Sequence, residues 1–316
     1  MPGVNNAANK RRGDNSPLNN QTMSIHDIEA RFSDAIRAAF GAIVHIPADG
    51  LIHRFKTADD KTGQRSGYAA LHADGLPAGM FGSWKAGGHH TWTARKPVDA
   101  FEAELHRQRL DHIRQQRQHE TLERYKQAAA DACLKWRNAR PADPNHPYLV
   151  AKGLPPMGLR QAGSALLVPL FFGGKFVNLQ RIYPDGAKHF LSGGRVKGAY
   201  SAIGQIVTNQ PLYLAEGYAT ALTIHLATGS PVAAAMNAGN LLPAGRELQQ
   251  RHPTTPLIVA GDDDRTSAEN IGRTKAIEAA AALRCAVVFP DWPADAPTNL
   301  SDFNDLQQWR TRMEAK

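Results

Sequence analysis

The sequence is poor in cysteine and lacks long apolar runs. Cys133 and Cys285 are the two cysteines among 316 residues, too few for a disulfide framework or for a zinc site built on cysteine. No stretch has the length and apolarity of a membrane span, and the N-terminus lacks the apolar core of a signal peptide. We therefore expect a cytoplasmic protein with no membrane association, in which both cysteines serve as small apolar residues.

Positive charge is in excess, and it is unevenly distributed. The chain carries 37 lysines and arginines against 29 acidic residues, a net charge of +8. Residues 206–316 hold 9 basic and 12 acidic residues, whereas residues 1–205 hold 28 and 17. This distribution is expected of an acidic module that binds cations, attached to a basic body that binds a polyanion. The alternative is that the charge only aids solubility.

Three acidic clusters follow one another in the last third of the chain, each just after an apolar run or just before a C-terminal helical stretch. They are Glu216 in PLYLAEG, residues 262–264 in PLIVAGDDD, and Asp302 with Asp305 in LSDFNDL. Carboxylates placed past the ends of parallel strands gather at one edge of the sheet, where open α/β sheets bind ligands. Oxygen ligands of this kind suit a hard cation such as Mg²⁺ or Mn²⁺.

Apolar runs alternate with helical patterns through the same region. Strands are predicted at 211–215, 231–236, 256–261 and 285–290, and helices at 218–228, 243–251 and 267–283, the last capped by Thr266. Strands that alternate with helices imply βαβ units and a parallel sheet. Unbroken apolar runs are typical of parallel strands buried on both faces. The predicted fold class is therefore α/β.

The spacing of the acids bears on metal binding. Alternate side chains of an extended chain share a face, so Asp262 and Asp264 are predicted to point together while Asp263 points away. Glu216 is expected to lie close to them if the two preceding strands are neighbours, where it would bind metal or move a proton. Taken singly, an aspartate triplet is often a solvated turn, and Glu-Gly after a strand is often a simple turn. The three clusters in this order favour a metal site.

This order of acidic clusters resembles the Toprim domain, the metal-binding module of DnaG-type primases, topoisomerases and some nucleases. We assign the resemblance to residues 206–316. It implies that Glu216 has a catalytic role and that Asp262 and Asp264 bind the metal. It also implies that Asp302 and Asp305 form the third acidic cluster of the metal site.

A basic region precedes this segment. Residues 144–205 contain seven lysines and arginines but one acid, Asp185. The runs LLVPLFF, KFVNLQRIY and KHFLSGG are separated by Gly-Gly and Asp-Gly turns, which predicts a small antiparallel sheet. The region, which we assign to 141–205, resembles the basic subdomain before Toprim in DnaG-type and mobile-element primases. The resemblance implies a groove for template and nucleotide, with the candidate contacts Lys175, Arg181, Lys188, Arg195 and Lys197.

Three more segments are predicted towards the N-terminus. Residues 1–22 are predicted to be a disordered tail, and residues 96–140 a long polar connecting helix. Residues 23–95 are predicted to form a small α+β module, in which SGYAALHADGLPAGMFGSWKAGGHHTW resembles an N-terminal module of phage and conjugative-plasmid primases. Within it, Tyr68, Trp84 and Trp92 are candidates either for stacking nucleic-acid bases or for packing in the core.

These resemblances imply a mobile-element DNA primase that makes short RNA primers on single-stranded DNA from ribonucleoside triphosphates, with magnesium at the Toprim site. DnaG primases carry a cysteine-bearing zinc ribbon that this sequence cannot form, so no zinc is expected. No Walker A motif is present, so a replicative helicase partner would be a separate chain. Two alternatives stay open: a Toprim nuclease that uses the same metals on water, and a non-catalytic single-stranded-DNA-binding protein of a mobile element.

Overall fold

The computed structural model describes residues 23–85, 87–97, 99–267 and 269–315. The tail predicted at 1–22 lies outside the described residues. The chain divides into two units, residues 1–115 and 116–316. Helix α2 (Ala100–Asn138) contributes residues to both.

The first unit packs one helix against a four-stranded antiparallel sheet. Helix α1 (Ile25–Phe40) begins after Ser24, whose side chain caps the first turn. Phe32 and Ile36, spaced for one face of a helix, are fully buried in the core of this unit. The strands pair in chain order, as β1 (His53–Phe55), β2 (Gly67–His72), β3 (Ala78–Ser83) and β4 (Gly87–Thr93). This unit therefore has the α+β composition that the sequence predicted.

Helix α2 spans 39 residues and is largely exposed, as its polar and charged sequence predicts. Near its C-terminus Ala132 is fully buried beside Leu167 and Leu179. Arg160 Nη1 donates to the backbone carbonyl of Trp136 at 3.0 Å. The Arg160 guanidinium lies 5.4 Å from the centroid of the Trp136 ring. A cation at this end of a helix satisfies free carbonyl groups. No helix in the described residues is both long enough and apolar enough to cross a bilayer.

The second unit contains an antiparallel sheet of five strands, in the order β5-β6-β7-β8-β9. Gly173 and Gly174 form the turn between β7 and β8 with φ values of 59° and 71°. A two-residue hairpin with positive φ at both positions favours glycine there. The short helix α3 (Pro147–Lys152) lies between β5 and β6. The strands are β5 (Arg140–Pro141), β6 (Arg160–Ala162), β7 (Ala165–Phe172), β8 (Lys175–Ile182) and β9 (Lys188–Phe190).

The other sheet of this unit has the order β10-β12-β11-β13-β14. Its last four strands are parallel, and β10 pairs antiparallel with β12 at the edge. The predicted parallel sheet is confirmed, and β10 joins it although it precedes residue 206, where we set the start of the acidic segment. The elements are β10 (Ser201–Ile203), β11 (Leu212–Ala215), α4 (Tyr218–Thr228), β12 (Val232–Ala234), α5 (Leu241–Arg251), β13 (Leu257–Ala260), α6 (Ile271–Leu283), β14 (Ala286–Val288) and α7 (Phe303–Glu314).

One apolar core joins the two sheets of the second unit. Leu166 and Val168 of β7 are fully buried in the same cluster as Tyr218 and Leu222 of α4. The apolar faces of the two sheets are therefore covered together. This shared core holds the basic antiparallel sheet against the parallel sheet that carries the acids.

The start of α6 differs from the prediction. Thr266 was the predicted cap, but the helix begins five residues later and Asn270 caps it by accepting a hydrogen bond from the first turn. The Thr266 hydroxyl instead donates to Asp264 Oδ1 at 2.9 Å. Asn270 also donates to Asp263 Oδ1 at 2.9 Å. An amide both donates and accepts, so this residue serves the helix and the acidic loop together.

Candidate active site

Glu216 and Asp262 follow neighbouring strands of the parallel sheet. Glu216 comes directly after β11, and Asp262 stands two residues after the end of β13. The two strands are paired in parallel, with Ala215 opposite Ala260. Their carboxyl ends therefore meet at the same edge of the sheet. The condition under which we expect Glu216 to lie close to Asp262, that their strands are neighbours, is therefore met.

A third segment brings Asp302 and Asp305 to this edge. Asp302 caps α7, because its Oδ1 accepts a hydrogen bond from the backbone N–H of Asp305 at 2.8 Å. Asp305 Oδ2 accepts in turn from the N–H of Ser301 at 3.1 Å. The Ser301 carbonyl accepts from the N–H of Asp263 at 2.6 Å. These bonds tie the start of α7 to the loop after β13, so acids from separate parts of the chain share one site.

Burial, together with the neighbouring acids, raises the pKa values of the acids at this edge. Burial, followed by the charges of Glu216, Asp302 and Asp305, raises the pKa of Asp262 from 3.8 to about 8, and Lys188 opposes the rise. Burial also raises the pKa of Glu216, against the lowering effects of a backbone hydrogen bond and of Lys188. Like charges that share a poorly hydrated site favour protonation in this way. The site therefore carries more negative than positive charge when its carboxylates are ionised.

Two lysines from the antiparallel half of the unit reach these acids. Lys152, the last residue of α3, places its Nζ 3.3 Å from Asp305 Oδ1 and 4.0 Å from Asp302 Oδ2. Lys188 opens β9 and remains accessible to solvent. Desolvation, then the charge of Lys152, lowers the pKa of Lys188, while three of the acids act in the opposite direction. Sequence reasoning singled out Lys188 but missed Lys152, because no local motif marks it.

Two buried polar atoms here have no hydrogen-bond partner among the described residues: Asp262 Oδ1 and Tyr148 Oη. Tyr148 is 5% exposed, and Lys188 Nζ lies 5.8 Å from its ring centroid. Burial, followed by the charge of Asp302, raises the pKa of Tyr148 to about 12. A buried carboxylate oxygen without a partner is costly. A bound cation would satisfy the carboxylate oxygen of Asp262.

The donor set fits a hard divalent cation. Carboxylate oxygens such as those of Glu216, Asp262 and Asp302 are the ligands that Mg²⁺ and Mn²⁺ prefer. The unpartnered Asp262 Oδ1 is the atom that such an ion would satisfy. In the part of the chain that the structure describes, no three His, Cys, Asp or Glu side chains already have the arrangement of a metal site.

The three aspartates at 262–264 differ in burial and in their partners, and not in the alternating orientation that an extended strand would give them. The alternation rule requires an extended strand, but β13 ends at Ala260, before the triplet. Asp264 is exposed and bonds the hydroxyl of Thr266. Asp263 is 8% exposed and pairs with Arg273 at 3.2 Å. The acid coupled to the other clusters is Asp262, and a metal-binding role for Asp264 stays a prediction.

The other predicted nucleic-acid contacts lie on the antiparallel sheet and the loop that follows it. Lys175 and Lys197 are exposed. Arg195 lies with its guanidinium carbon 3.3 Å from the ring centroid of Phe172, and its Nε donates to the Lys197 carbonyl. Arg181, on β8, is half-buried, and its Nε is without a hydrogen-bond partner among the described residues. Template binding by these residues stays a prediction.

Comparison with known proteins agrees with this architecture. Residues 211–312 match the family model described as Toprim domain. Over 286 residues the chain is 32% identical to an Escherichia coli protein named DNA primase TraC. The matched region covers 83% of this chain and 26% of that protein. A second Escherichia coli protein of the same name is 30% identical over 284 residues, covering 82% of this chain and 19% of that protein. The chain thus spans about a quarter or less of the length of these relatives.

A solved structure also matches. The crystal structure of the Aquifex aeolicus primase, described as its zinc-binding and RNA polymerase domains, is 14% identical with a TM-score of 0.34, covering 93% of this chain and 86% of that one. The family match and the two sequence relatives confirm the resemblance that the acidic motifs indicated. Residues 211–312 form a Toprim domain, in a chain that is similar over most of its length to DNA primases.

Proposed function

We propose that this protein is a primase that joins ribonucleotides into short RNA primers on single-stranded DNA, with a divalent metal at its acidic site. One observation carries the proposal. Separate chain segments place Glu216, Asp262 and Asp302 close enough for their charges to interact, with one Asp262 oxygen buried and unpartnered. Lys152 of α3 and Lys188 of β9 lie beside them. The similarity to DNA primases supports nucleotidyl transfer among the reactions that such a site could perform.

The positions of the side chains suggest a role for each in the reaction. Magnesium held by the carboxylates would neutralise charge on the triphosphate oxygens. Lys188, accessible and close to the acids, would bind the triphosphate, whereas Lys152 is paired with Asp305 and holds the start of α7. Glu216 has a pKa raised by burial. A carboxylate of this kind is suited to accept the proton of the attacking 3′-hydroxyl, or to bind the metal.

The basic sheet would hold the template. Lys175, Arg181, Arg195 and Lys197 supply positive charge within the same unit as the acids. Contacts of lysine and arginine with phosphates give affinity that does not depend on sequence and that falls with salt. The partners that we propose are single-stranded DNA and ribonucleoside triphosphates. A replicative helicase, if one takes part, lies outside this sequence.

A primer-synthesis assay with labelled ribonucleotides, a single-stranded template and Mg²⁺ tests the proposal. Glu216→Gln keeps the shape of the side chain but removes its charge, so we expect the rate to fall by about 10²-fold or more. Glu278→Gln is the matched control, because Glu278 is exposed on α6 and forms an ion pair with Lys275 of the same helix. It should keep the parent rate. A Glu216→Gln rate within a few-fold of the parent would make Glu216 a turn residue and remove its catalytic role.

The same reaction without nucleotides separates the primase from the nuclease alternative. A nuclease shortens the labelled strand in Mg²⁺ alone, whereas a primase leaves it intact and makes product once ribonucleotides are added. Strand shortening would replace the primase proposal by the nuclease. An intact strand with no product under any metal would leave only a DNA-binding protein and would overturn the catalytic proposal.

A further inference from the structure

An exposed tryptophan in the first unit is held firmly by its surroundings. Trp84 follows β3 and is 68% exposed. Its backbone N–H donates to the Ser66 carbonyl at 3.0 Å, and its ring centroid lies 4.6 Å from that of Tyr68. Tyr68 is itself buried, with 9% exposure. A ring that is already fixed loses little conformational entropy when it binds a ligand.

The neighbouring residues keep this arrangement in place. A Cβ at Gly82 would lie 2.5 Å from Tyr68 Oη, so a glycine is needed where the tyrosine crosses β3. A chain of hydroxyl groups links the loop before β2 to the end of β3, with 3.1 Å between successive oxygens. Its members are Thr57, Ser66 and Ser83. The loop and the turn that carries Trp84 are therefore coupled.

Basic side chains surround the exposed ring. Arg54, Arg65 and Lys85 are exposed and line, with Trp84, an open depression of about 470 Å³ on the surface. The Arg54 guanidinium carbon lies 6.0 Å from the Trp84 ring centroid. Arg54 Nε and Nη2 donate to the Arg65 backbone carbonyl at 3.1 and 2.5 Å, which holds the Arg54 guanidinium against the loop that carries Arg65.

The acids of the same loop do not cancel this charge. Asp60 is 7% exposed, and its Oδ2 accepts hydrogen bonds from the backbone N–H groups of Thr57 and Ser66 at 3.0 and 2.7 Å. Asp59 is exposed, and its carbonyl accepts from Lys85 Nζ. Residues 54–66 together with Lys85 hold five basic and two acidic side chains. The surface is therefore positive and would attract an anionic partner.

The structure also separates Trp84 from the other tryptophan of this unit. Trp92 packs in the core, with its ring centroid 5.3 Å from that of Phe32. The sequence left open whether both residues stack bases or both pack. Packing in the core explains why Trp92 is a tryptophan. Trp84 is exposed, so core packing does not explain why a tryptophan stands there.

We propose that this surface binds single-stranded DNA, with a base stacked on Trp84 and the flanking phosphates on Arg54, Arg65 and Lys85. A fixed aromatic ring among cations is the combination that binds single strands without sequence preference. A base within a duplex is stacked on its neighbours and cannot be offered in this way. The choice of DNA over RNA rests on the proposed function, and an RNA strand is therefore one arm of the test.

Binding of labelled 12-nucleotide strands to the full chain, measured by fluorescence anisotropy in EDTA, tests the site independently of catalysis. Trp84→Ala should weaken oligothymidine binding by roughly 5- to 150-fold, since stacking on an aromatic ring is lost. A 12-unit abasic strand should bind both proteins equally, and Trp84→Phe should recover most of the affinity. Phe101→Ala, which removes another exposed ring (72% exposed) from α2, is the matched control and should have no effect.

The cations are tested by the salt dependence of binding. Arg65→Ala and Lys85→Ala should each lower the slope of log affinity against log salt by about 0.7. Arg114→Ala is the control, because Arg114 is similarly exposed but pairs with Asp111 on α2. An unchanged slope in both Arg65→Ala and Lys85→Ala would overturn the phosphate contacts.

Crosslinking locates the strand, because the basic sheet of the second unit binds it as well under the proposed function. A strand that carries 5-iodouracil, irradiated on the full chain in EDTA, should crosslink to the peptide that contains Trp84. Crosslinks confined to residues 116–316, or equal oligothymidine affinity in Trp84→Ala and the parent, would overturn the inference. Tighter binding of a matched RNA strand would overturn the choice of DNA. Failure of primer synthesis would leave the crosslink at Trp84 unaffected, so the two proposals fail separately.

Discussion

Replacing Asp262 by asparagine should stabilise the metal-free protein at alkaline pH. In the native state, burial and the neighbouring acids raise the pKa of Asp262 from 3.8 to about 8. In the unfolded chain the pKa returns to its ordinary value. Between the two values the native state binds one proton more than the unfolded state, so stability falls as pH rises from about 4 to about 8. Below about pH 4 both states are protonated and this effect disappears.

The magnitude follows from the same two pKa values. Their difference corresponds to about 6 kcal/mol, at about 1.4 kcal/mol per pH unit. This is an upper bound, because Glu216, Asp302 and Lys188 titrate together with Asp262. We expect about half of it, roughly 3 kcal/mol above pH 8. In a unit of about 200 residues this raises the melting temperature by roughly 6–12 °C.

Calorimetry of the full chain in EDTA at pH 4.5 and pH 8.5 measures this effect. Asp262→Asn should melt higher than the parent at pH 8.5 and close to it at pH 4.5. Asp264→Asn is the matched control, because Asp264 is exposed in the same loop, and its melting temperature should follow that of the parent. Millimolar Mg²⁺ should raise the melting temperature of the parent at pH 8.5 by mass action. It should have little effect on Asp262→Asn.

Two results would refute the reasoning. Equal melting temperatures of Asp262→Asn and the parent at pH 8.5 without metal would show that the Asp262 carboxylate carries no burial cost. A magnesium shift of full size in Asp262→Asn would show that the ion binds elsewhere. Either result would return Asp262 to the class of solvated turn residues.

Two further predictions concern the residues that hold the site together. Asn304 is 1% exposed, and its Nδ2 donates to the Lys152 carbonyl and to Thr223 Oγ1, both at 2.9 Å. Asn304→Ala should therefore lower the free energy of unfolding, measured by urea titration, by about 2–4 kcal/mol. Gln307→Ala, at an exposed position of the same helix, should change it by less than about 0.5 kcal/mol, and an equal effect of both would contradict the role of Asn304. Asp263→Ala removes the partner of an ion pair and a hydrogen bond to α6 and should cost about 1–3 kcal/mol; full stability in this variant would show that the loop after β13 does not depend on it.

Local patterns predicted most of the secondary structure. The apolar runs before Glu216 and Asp262 became β11 and β13. The turn at Gly173 and Gly174 joined the predicted antiparallel strands. The cap of α6 was predicted wrongly at Thr266, because both Thr266 and Asn270 have capping side chains. The bond that distinguishes Asn270 runs to Asp263, within the acidic loop.

The candidate site was predicted in its composition more than in its geometry. Sequence order identified Glu216 and Asp262 as acids that follow strands, and the structure showed that these strands are neighbours. It did not identify Lys152 or Asn304, whose contacts bridge residues about 150 positions apart in the chain. It also treated Asp262 and Asp264 as equivalent, although they differ in burial and in partners.

The sequence by itself determined the alternation of strands and helices, the order of the acidic clusters, and the separation of basic from acidic segments, because periodicity and charge are local properties. The tertiary structure decided which carboxylate is buried without a partner, which lysines reach the acids, and which of Trp84 and Trp92 is exposed. Burial and pKa depend on the atoms that surround a group. Those atoms come from segments far apart in the chain, and only folding brings them together.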